Sequence, residues 1–544
     1  MHDLWYKDAI IYCVDVDTYQ DSDDDGCGDF RGLERRLDHL AYLGVNCLWL
    51  LPIHPTPDRD NGYDVTDYYA VDPRLGTLGD FAQFMRSARE RGIRVLLDLV
   101  VNHTSDQHPW FRQARSDPDS RYRDWYVWSD TKPEDAASGV VFPGVQQEVW
   151  SYDRTAKSYF LHRFYEHQPD LNISNPRVRE EILRIMGFWL ELGVSGFRVD
   201  AAPFLIELKG TSGDGGTDPY EYLTEFRRFL SWHRGDAILL AEANVTADQL
   251  DDYLGDGDRL HMLFDFMLNQ HLFLALARAE KTPLIQGFQR PPDLPTEAQW
   301  AQFLRNHDEL DLGRLTERQR EEAFAVFAPR EDMRIYDRGV RRRLAPMLGN
   351  DADRLRMAYS LLLTLPGTPV IWYGDEIGMG DDLSLHERNP VRTPMQWSDE
   401  PNAGFSGAPA DALPRPIIRR GEFGYRKVNV DAQTRDPDSL LGWMSQAIGV
   451  RRRAREFGWG RARLHETGHP AVLAHSCTHA SRSVVAVHNL SAEPAEVALD
   501  LSDLCGSTVR DLLGPLESLP LEDGTLALEL DGYGYRWFRL EGRT

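Results

Sequence analysis

Long apolar runs are missing: none approaches the roughly 18 residues of a membrane span, so no membrane helix is expected. Cysteine is scarce. Cys13, Cys27, Cys47, Cys477 and Cys505 are scattered, odd in number and without metal-ligand spacing. That pattern excludes a disulfide framework and predicts a reducing compartment. The N-terminus shows no basic-then-apolar leader, and the expected location is the cytoplasm. Positive charge is in short supply, with 61 Lys and Arg against 86 Asp and Glu and a net charge of −25. Such a chain has no general attraction for phosphate backbones or anionic lipid, so no nucleic-acid or membrane partner is expected. The remaining candidates are a small neutral ligand and, at most, a second copy of the chain as a homodimer.

Apolar residues make up 42% of the 544 residues, enough for a large core. From residue 9 to about 455, short β-branched runs alternate with amphipathic helical segments. Strands are predicted at Ile10–Val16, Val45–Leu51, Val95–Val101, Gly196–Asp200, Ile238–Ala241, Met262–Met267, Trp300–Leu304 and Pro369–Trp372. Helices are predicted at Leu33–Leu43, Leu78–Gly92, Ile182–Leu192 and Tyr220–Trp232. Eight strands separated by helix-sized segments predict a closed (β/α)8 TIM barrel over 1–103 and 173–460. Residues 104–172, rich in Trp, Tyr, Pro and Asp, are too long for a loop and predict an inserted subdomain after the third strand. Residues 309–345 carry dense Arg and Glu at helical spacing and predict a helical insertion over the active site. From 461 to 544 apolar and polar residues alternate, as at Ser483–Val487, Ala495–Leu501 and Thr525–Leu530. That predicts a C-terminal antiparallel β-sandwich.

In such a barrel the site lies at the C-terminal ends of the strands. There the sequence places Asp98-Leu99-Val100-Val101-Asn102-His103, Arg198 and Asp200, Glu242, and Asn306-His307-Asp308. Clustered carboxylates repel one another and persist where chemistry needs them. Arg198 and Asp200 are two apart on a strand and face the same way. The arginine is expected to lower the aspartate's pKa and keep it ionised, as a carboxylate nucleophile requires. Glu242 follows apolar strand residues and has no cation adjacent in sequence, which suits a raised-pKa acid. Two carboxylates facing one bond are the minimum for glycoside hydrolysis.

These motifs, in this order and spacing, resemble glycoside hydrolase family 13, the α-amylase superfamily. The resemblance implies Asp200 as nucleophile, Glu242 as acid/base and Asp308 as transition-state stabiliser. It implies His103, Arg198 and His307 as sugar contacts, with Gln168 joining them. Asp64 of Asn61-Gly62-Tyr63-Asp64 and Arg392 match a pair that grips the terminal glucose in exo-acting relatives. The likeness is nearest to members that isomerise maltose to trehalose through a covalent glucosyl-enzyme; hydrolysis of terminal α-glucosidic bonds is the alternative.

The acidic loop Asp21 to Asp29 carries oxygens at alternate positions and a glycine, which suits a hard cation. Gly32 stands where an EF-hand's closing glutamate would be. Family relatives bind Ca²⁺ or Mg²⁺ at the matching loop, and the expected ligands here are Asp21, Asp23, Asp25, Cys27 and Asp29. A second family site implies Asn102 and Asp170, completed by carbonyls near Phe204 and Glu207. No organic cofactor is expected. The chain departs from the trehalose-forming members at Asp15 and Asp17 of the first strand, after Asn244, at Val140–Val145 and at Leu385–Asn389.

Overall fold

The computed structural model describes residues 4–207, 209, 218–288, 294–514 and 518–542. Eight parallel strands close into a barrel: β1 (Ile11–Val14), β2 (Cys47–Leu50), β3 (Arg94–Leu99), β4 (Gly196–Val199), β5 (Ile238–Ala241), β6 (Met262–Phe264), β7 (Gln299–Phe303) and β8 (Thr368–Trp372). Each strand pairs with its neighbour in sequence and β8 closes onto β1. The pairing places Asp98 beside Arg198, and Arg198 beside Leu240. The strands are buried almost end to end, which is why most of them read as short, mainly apolar runs.

Several elements differ in their bounds from the sequence reading. The sixth strand stops at Phe264 rather than Met267, because the Asp265 carboxylate accepts the Leu268 N–H and caps the helix Phe266–Arg278. The segment predicted as one helix over Leu33–Leu43 is two, Phe30–Arg35 and Leu37–Leu43, broken at Arg36.

After β3 the chain leaves the barrel to form a helix, Pro109–Ser116, and a small antiparallel sheet of Trp128–Ser129, Trp150–Asp153 and Ser158–Leu161. It rejoins the strand end through bridges between His103 and Asp170 and between Tyr126 and Leu171. After β7, the helix Glu317–Phe327 is accompanied by a three-stranded antiparallel sheet of Leu310–Asp311, Arg334–Ile335 and Gly339–Val340. The stretch read as helical is therefore mixed.

From Arg461 onward, a six-stranded antiparallel sheet faces the pair Ala495–Asp500 and Thr525–Leu530. Val485, Val487 and Phe538 of the larger sheet share an apolar core with Val497, Leu499 and Leu526 of the smaller. Buried cysteines Cys13, Cys47 and Cys477 sit in the core as small apolar groups, and all five cysteines are unpaired. Among the described residues no helix is long and apolar enough to cross a membrane.

Candidate active site

The floor of the site is built around one guanidinium. Arg198, on β4, has a side chain only 1% exposed. Its Nη1 donates to Asp98 Oδ1 and to Asp200 Oδ1, both at 2.6 Å, and its Nη2 donates to Glu242 Oε2 at 2.7 Å. Three carboxylates from three adjacent strands thus converge on one cation. Glu242 has no cation adjacent in sequence, yet the fold gives it one in Arg198. The two residues are distant in the chain, and closure of the sheet brings Arg198 to it.

Electrostatics also departs from the sequence reading. Burial pushes Asp200 up to about 7; Arg198 opposes this, while Asp98 and Asp308 reinforce it. Burial likewise pushes Glu242 to about 7, against Arg198 and with Asp200. Arg198 therefore does not hold Asp200 at an ordinary carboxylate pKa. Desolvation and mutual repulsion outweigh one cation shared three ways.

Asp308 differs. Burial alone would raise its carboxyl, but the N–H of His307 facing it and the charges of Arg388 and Arg392 outweigh burial and hold it well below the usual range. Its Oδ1 accepts from Arg388 Nη1 at 2.7 Å and Arg392 Nη2 at 3.0 Å. His307 stays neutral, because burial holds its imidazole well below its ordinary pKa. Its Nε2 lies 2.8 Å from the Tyr63 hydroxyl and 3.2 Å from Asp308 Oδ2. Tyr63 itself donates to Asp98 Oδ2, so Nε2 of His307 carries the ring proton.

Above them lies a cavity of about 300 Å³; Arg198, His307 and Arg392, expected as sugar contacts, are buried behind its lining. Asp200, Glu242, Asp308 and His103 line it. Asp64 does not. It is fully buried behind the wall, where it accepts the Thr56 hydroxyl at 2.7 Å and the N–H groups of Arg59 and Asp60. It shapes its own loop and does not pair with Arg392, which instead donates to His307 O and Asp308. The acidic group of this loop that does line the cavity is Asp60, four residues earlier. Its Oδ1 accepts from Arg388 Nη2 at 2.9 Å, and both residues line the cavity. Gln168 also sits behind the wall, where its Nε2 donates to Asp60 Oδ2 at 2.9 Å. It aims Asp60 rather than lining the cavity. Sequence reasoning missed Asp60 and Arg388. The available signals were an aspartate beside the Asn-Gly turn and an arginine inside the divergent stretch Leu385–Asn389.

The roof comes from three excursions of the chain. Phe142 and Tyr165 belong to the inserted subdomain, Tyr336 to the insertion after β7, and Glu387 and Arg388 to the loop after β8. Phe142 packs against Tyr336 at 4.8 Å between ring centroids and against Tyr165 at 4.9 Å. Both tyrosine hydroxyls donate to Glu387 Oε2. The Arg388 guanidinium lies 5.1 Å above the Phe142 ring. One carboxylate thereby joins all three excursions.

The acidic loop brings together oxygens of Asp21, Asp23 and Asp29 within 4.8 Å of one another. Asp25 and Cys27 stand outside that group. The Asp25 carboxylate turns to the Cys27 N–H at 2.8 Å, a local turn that competes with an outward ligand. Asp23 has its carboxyl raised by desolvation and by the charges of Asp25, Asp29 and Asp21. Crowded hard oxygens of one sign fit a divalent cation.

The Asn102 and Asp170 pair does not fit one. Lys209 Nζ lies 2.7 Å from Asp170 Oδ2 and donates to Asn102 Oδ1. An ammonium already occupies the point between the two expected ligands.

Comparison with known proteins agrees with this geometry. Residues 13–328 and 338–460 match the family described as alpha amylase, catalytic domain, and residues 482–539 match a sucrose hydrolase-like C-terminal domain. A trehalose synthase of Pimelobacter sp. (strain R48) is 42% identical over 551 residues, covering 98% of this chain and 96% of that protein. One from Thermus thermophilus is 44% identical, covering 99% of this chain and 56% of that protein. Among solved structures, the trehalulose synthase MutB from Pseudomonas mesoacidophila MX-45 superposes with a TM-score of 0.76 at 26% identity, covering 99% of each chain. With its barrel, its strand-end carboxylates and near full-length matches, the chain belongs to the α-amylase family.

Proposed function

We propose that the chain isomerises maltose to trehalose by intramolecular transglucosylation. The observation that carries this reading is a pair of carboxyls, Asp200 and Glu242, on one guanidinium at the floor of a roofed cavity sized for a small sugar. Relatives named trehalose synthase, 41–44% identical over nearly the whole chain, support it.

In this mechanism one proton resides on the Asp200 and Glu242 pair. With the proton on Glu242, the Asp200 carboxylate attacks the anomeric carbon of the non-reducing glucose. The bond from that carbon to the bridging oxygen breaks, and Glu242 gives its proton to that oxygen. An ester joins Asp200 to the glucosyl group, and free glucose remains under the roof. The glucose turns to present its own anomeric hydroxyl. Glu242 takes the hydroxyl's proton as the oxygen attacks the glucosyl carbon, and Asp200 leaves as carboxylate. Two inversions give net retention. Asp308, held ionised by its arginines, stabilises positive charge on the ring. Asp60 and Arg388 grip the terminal hydroxyls, and His103 flanks the sugar while His307 holds Asp308 from behind.

Water in place of the retained glucose would make the same machinery a hydrolase. Incubation with maltose and separation of products distinguishes them: trehalose in excess over free glucose is expected, and abundant glucose with little trehalose would refute isomerisation. Asp21, Asp23 and Asp29 hold a structural Ca²⁺ or Mg²⁺ in this reading, and the enzyme works in the cytoplasm. A homodimer is the assembly to test, by sedimentation.

A further inference from the structure

We infer that Lys209 replaces a divalent cation, so that the junction of barrel and inserted subdomain is locked by an internal ammonium rather than by a metal. First, Lys209 reaches Asp170 Oδ2 at 2.7 Å and Asn102 Oδ1 at hydrogen-bond distance, with only 1% of its side chain exposed. Asn102 and Asp170 are themselves fully buried. A divalent ion at this point would sit against a positive charge at bonding distance, with no water to screen the repulsion.

Second, several of the neighbouring polar groups are engaged elsewhere. Asp170 Oδ1 accepts the Arg163 N–H at 2.9 Å and the Asn102 amide at 3.4 Å. The Phe204 carbonyl accepts the Glu207 N–H at 3.3 Å. The Glu207 carboxylate turns outward to Arg163 Nη2 at 2.7 Å. With Lys209 in place, Asp170 Oδ2 and Asn102 Oδ1 are taken by the ammonium and are not free to join the roughly 6–8 oxygens that Ca²⁺ takes.

Third, the ammonium makes the connections a metal would make. Asn102 follows β3 and contacts His103, whose ring lines the cavity. Asp170 ends the inserted subdomain and bridges to the His103 backbone. Lys209 follows β4 and the candidate nucleophile. The ammonium therefore ties three segments together directly behind the wall of the site. Any dependence on divalent ions is confined to the Asp21 to Asp29 loop.

The test uses the whole enzyme stripped of metal. In the Asp23→Ala variant, calorimetric titration with Ca²⁺ is expected to show no binding at this junction, and further change of Asp170→Asn is expected to leave the titration flat. In Lys209→Met, the vacated carboxylate should lower the melting temperature by several degrees, and added Ca²⁺ should restore part of that loss. Restoration should disappear when Asp170→Asn is added. Ca²⁺ binding to Asp23→Ala that is abolished by Asp170→Asn would overturn the inference. So would a Lys209→Met enzyme as stable as the parent and indifferent to Ca²⁺. If Lys209→Met does not fold, the titration of Asp23→Ala with and without Asp170→Asn decides alone. None of these readouts depends on which sugar the enzyme transforms.

Discussion

The floor and the roof of the cavity are built by different rules. The floor places Asp98, Arg198, Asp200 and Glu242 at the ends of adjacent strands, where sheet hydrogen bonds fix each backbone. The roof is made by Phe142, Tyr165, Tyr336 and Glu387 from three excursions, joined by rings and one carboxylate. The floor has a rigid frame and sets the chemistry. The roof is held by contacts that side chains make between separate loops, and in the proposed reaction it governs what enters and leaves while the glucosyl group is on Asp200. Precise catalytic geometry thus rests on strands and the fate of the intermediate rests on loops.

The largest expected effect lies on the floor. Asp200→Asn removes the nucleophile and should lower both trehalose formation and glucose release by about 10⁴-fold or more. Steady-state rates on maltose check this. Equal loss of both products is the signature of a floor residue.

Next comes the wall between floor and roof. Asp60→Asn should lower kcat/KM by about 10–10²-fold, the worth of a charged hydrogen bond of ~1.5–3 kcal/mol. Asp64→Asn, in the same loop but outside the cavity, should lower the melting temperature and leave KM near that of the parent. The reverse pattern would restore Asp64 as the sugar contact.

The pH profile tests how the floor is wired. Asp200 must be ionised, and with its pKa raised to about 7 activity should fall as pH drops below that value. Glu242 must be protonated, and with its pKa also raised to about 7 activity should fall as pH rises above it. The expected result is a narrow bell for kcat/KM centred near 7, set by the pair together. A broad plateau from acid to alkaline pH would show that the two do not share a proton. Stability carries the matching sign. Carboxyls raised above their unfolded values contribute stability that is full below about 4 and lost as pH rises toward about 7.

The smallest change in total rate, and the sharpest in outcome, belongs to the roof. Glu387→Gln keeps its size but weakens its hold on Tyr165 and Tyr336. Maltose consumption should stay within about threefold of the parent, because the change weakens two charged hydrogen bonds in the roof and leaves the cavity-lining carboxylates untouched. The ratio of glucose to trehalose should rise several-fold. An unchanged ratio would separate the roof from product choice.

The same division explains what was legible in the sequence. Asp200, Glu242 and Asp308 were legible because each follows a short apolar run whose strand geometry is nearly invariant. All eight barrel strands were placed for the same reason, with Met262–Met267 overextended because Asp265 caps the next helix. Asp60 was missed in favour of Asp64 because loop direction depends on hydrogen bonds to Thr56 and Gln168 that no periodicity encodes. The cation beside Glu242 was missed because Arg198 reaches it across the sheet. Lys209 was missed because its partners, Asn102 and Asp170, lie 107 residues from it in one case and in an inserted subdomain in the other.

The most direct test of the account adds isotopically labelled free glucose to enzyme turning over unlabelled maltose. A roof that holds cleaved glucose over the floor predicts trehalose that is essentially unlabelled, formed in excess over released glucose. Trehalose carrying label in proportion to the added glucose would contradict it, because the glucosyl group on Asp200 would then be meeting acceptors from solution.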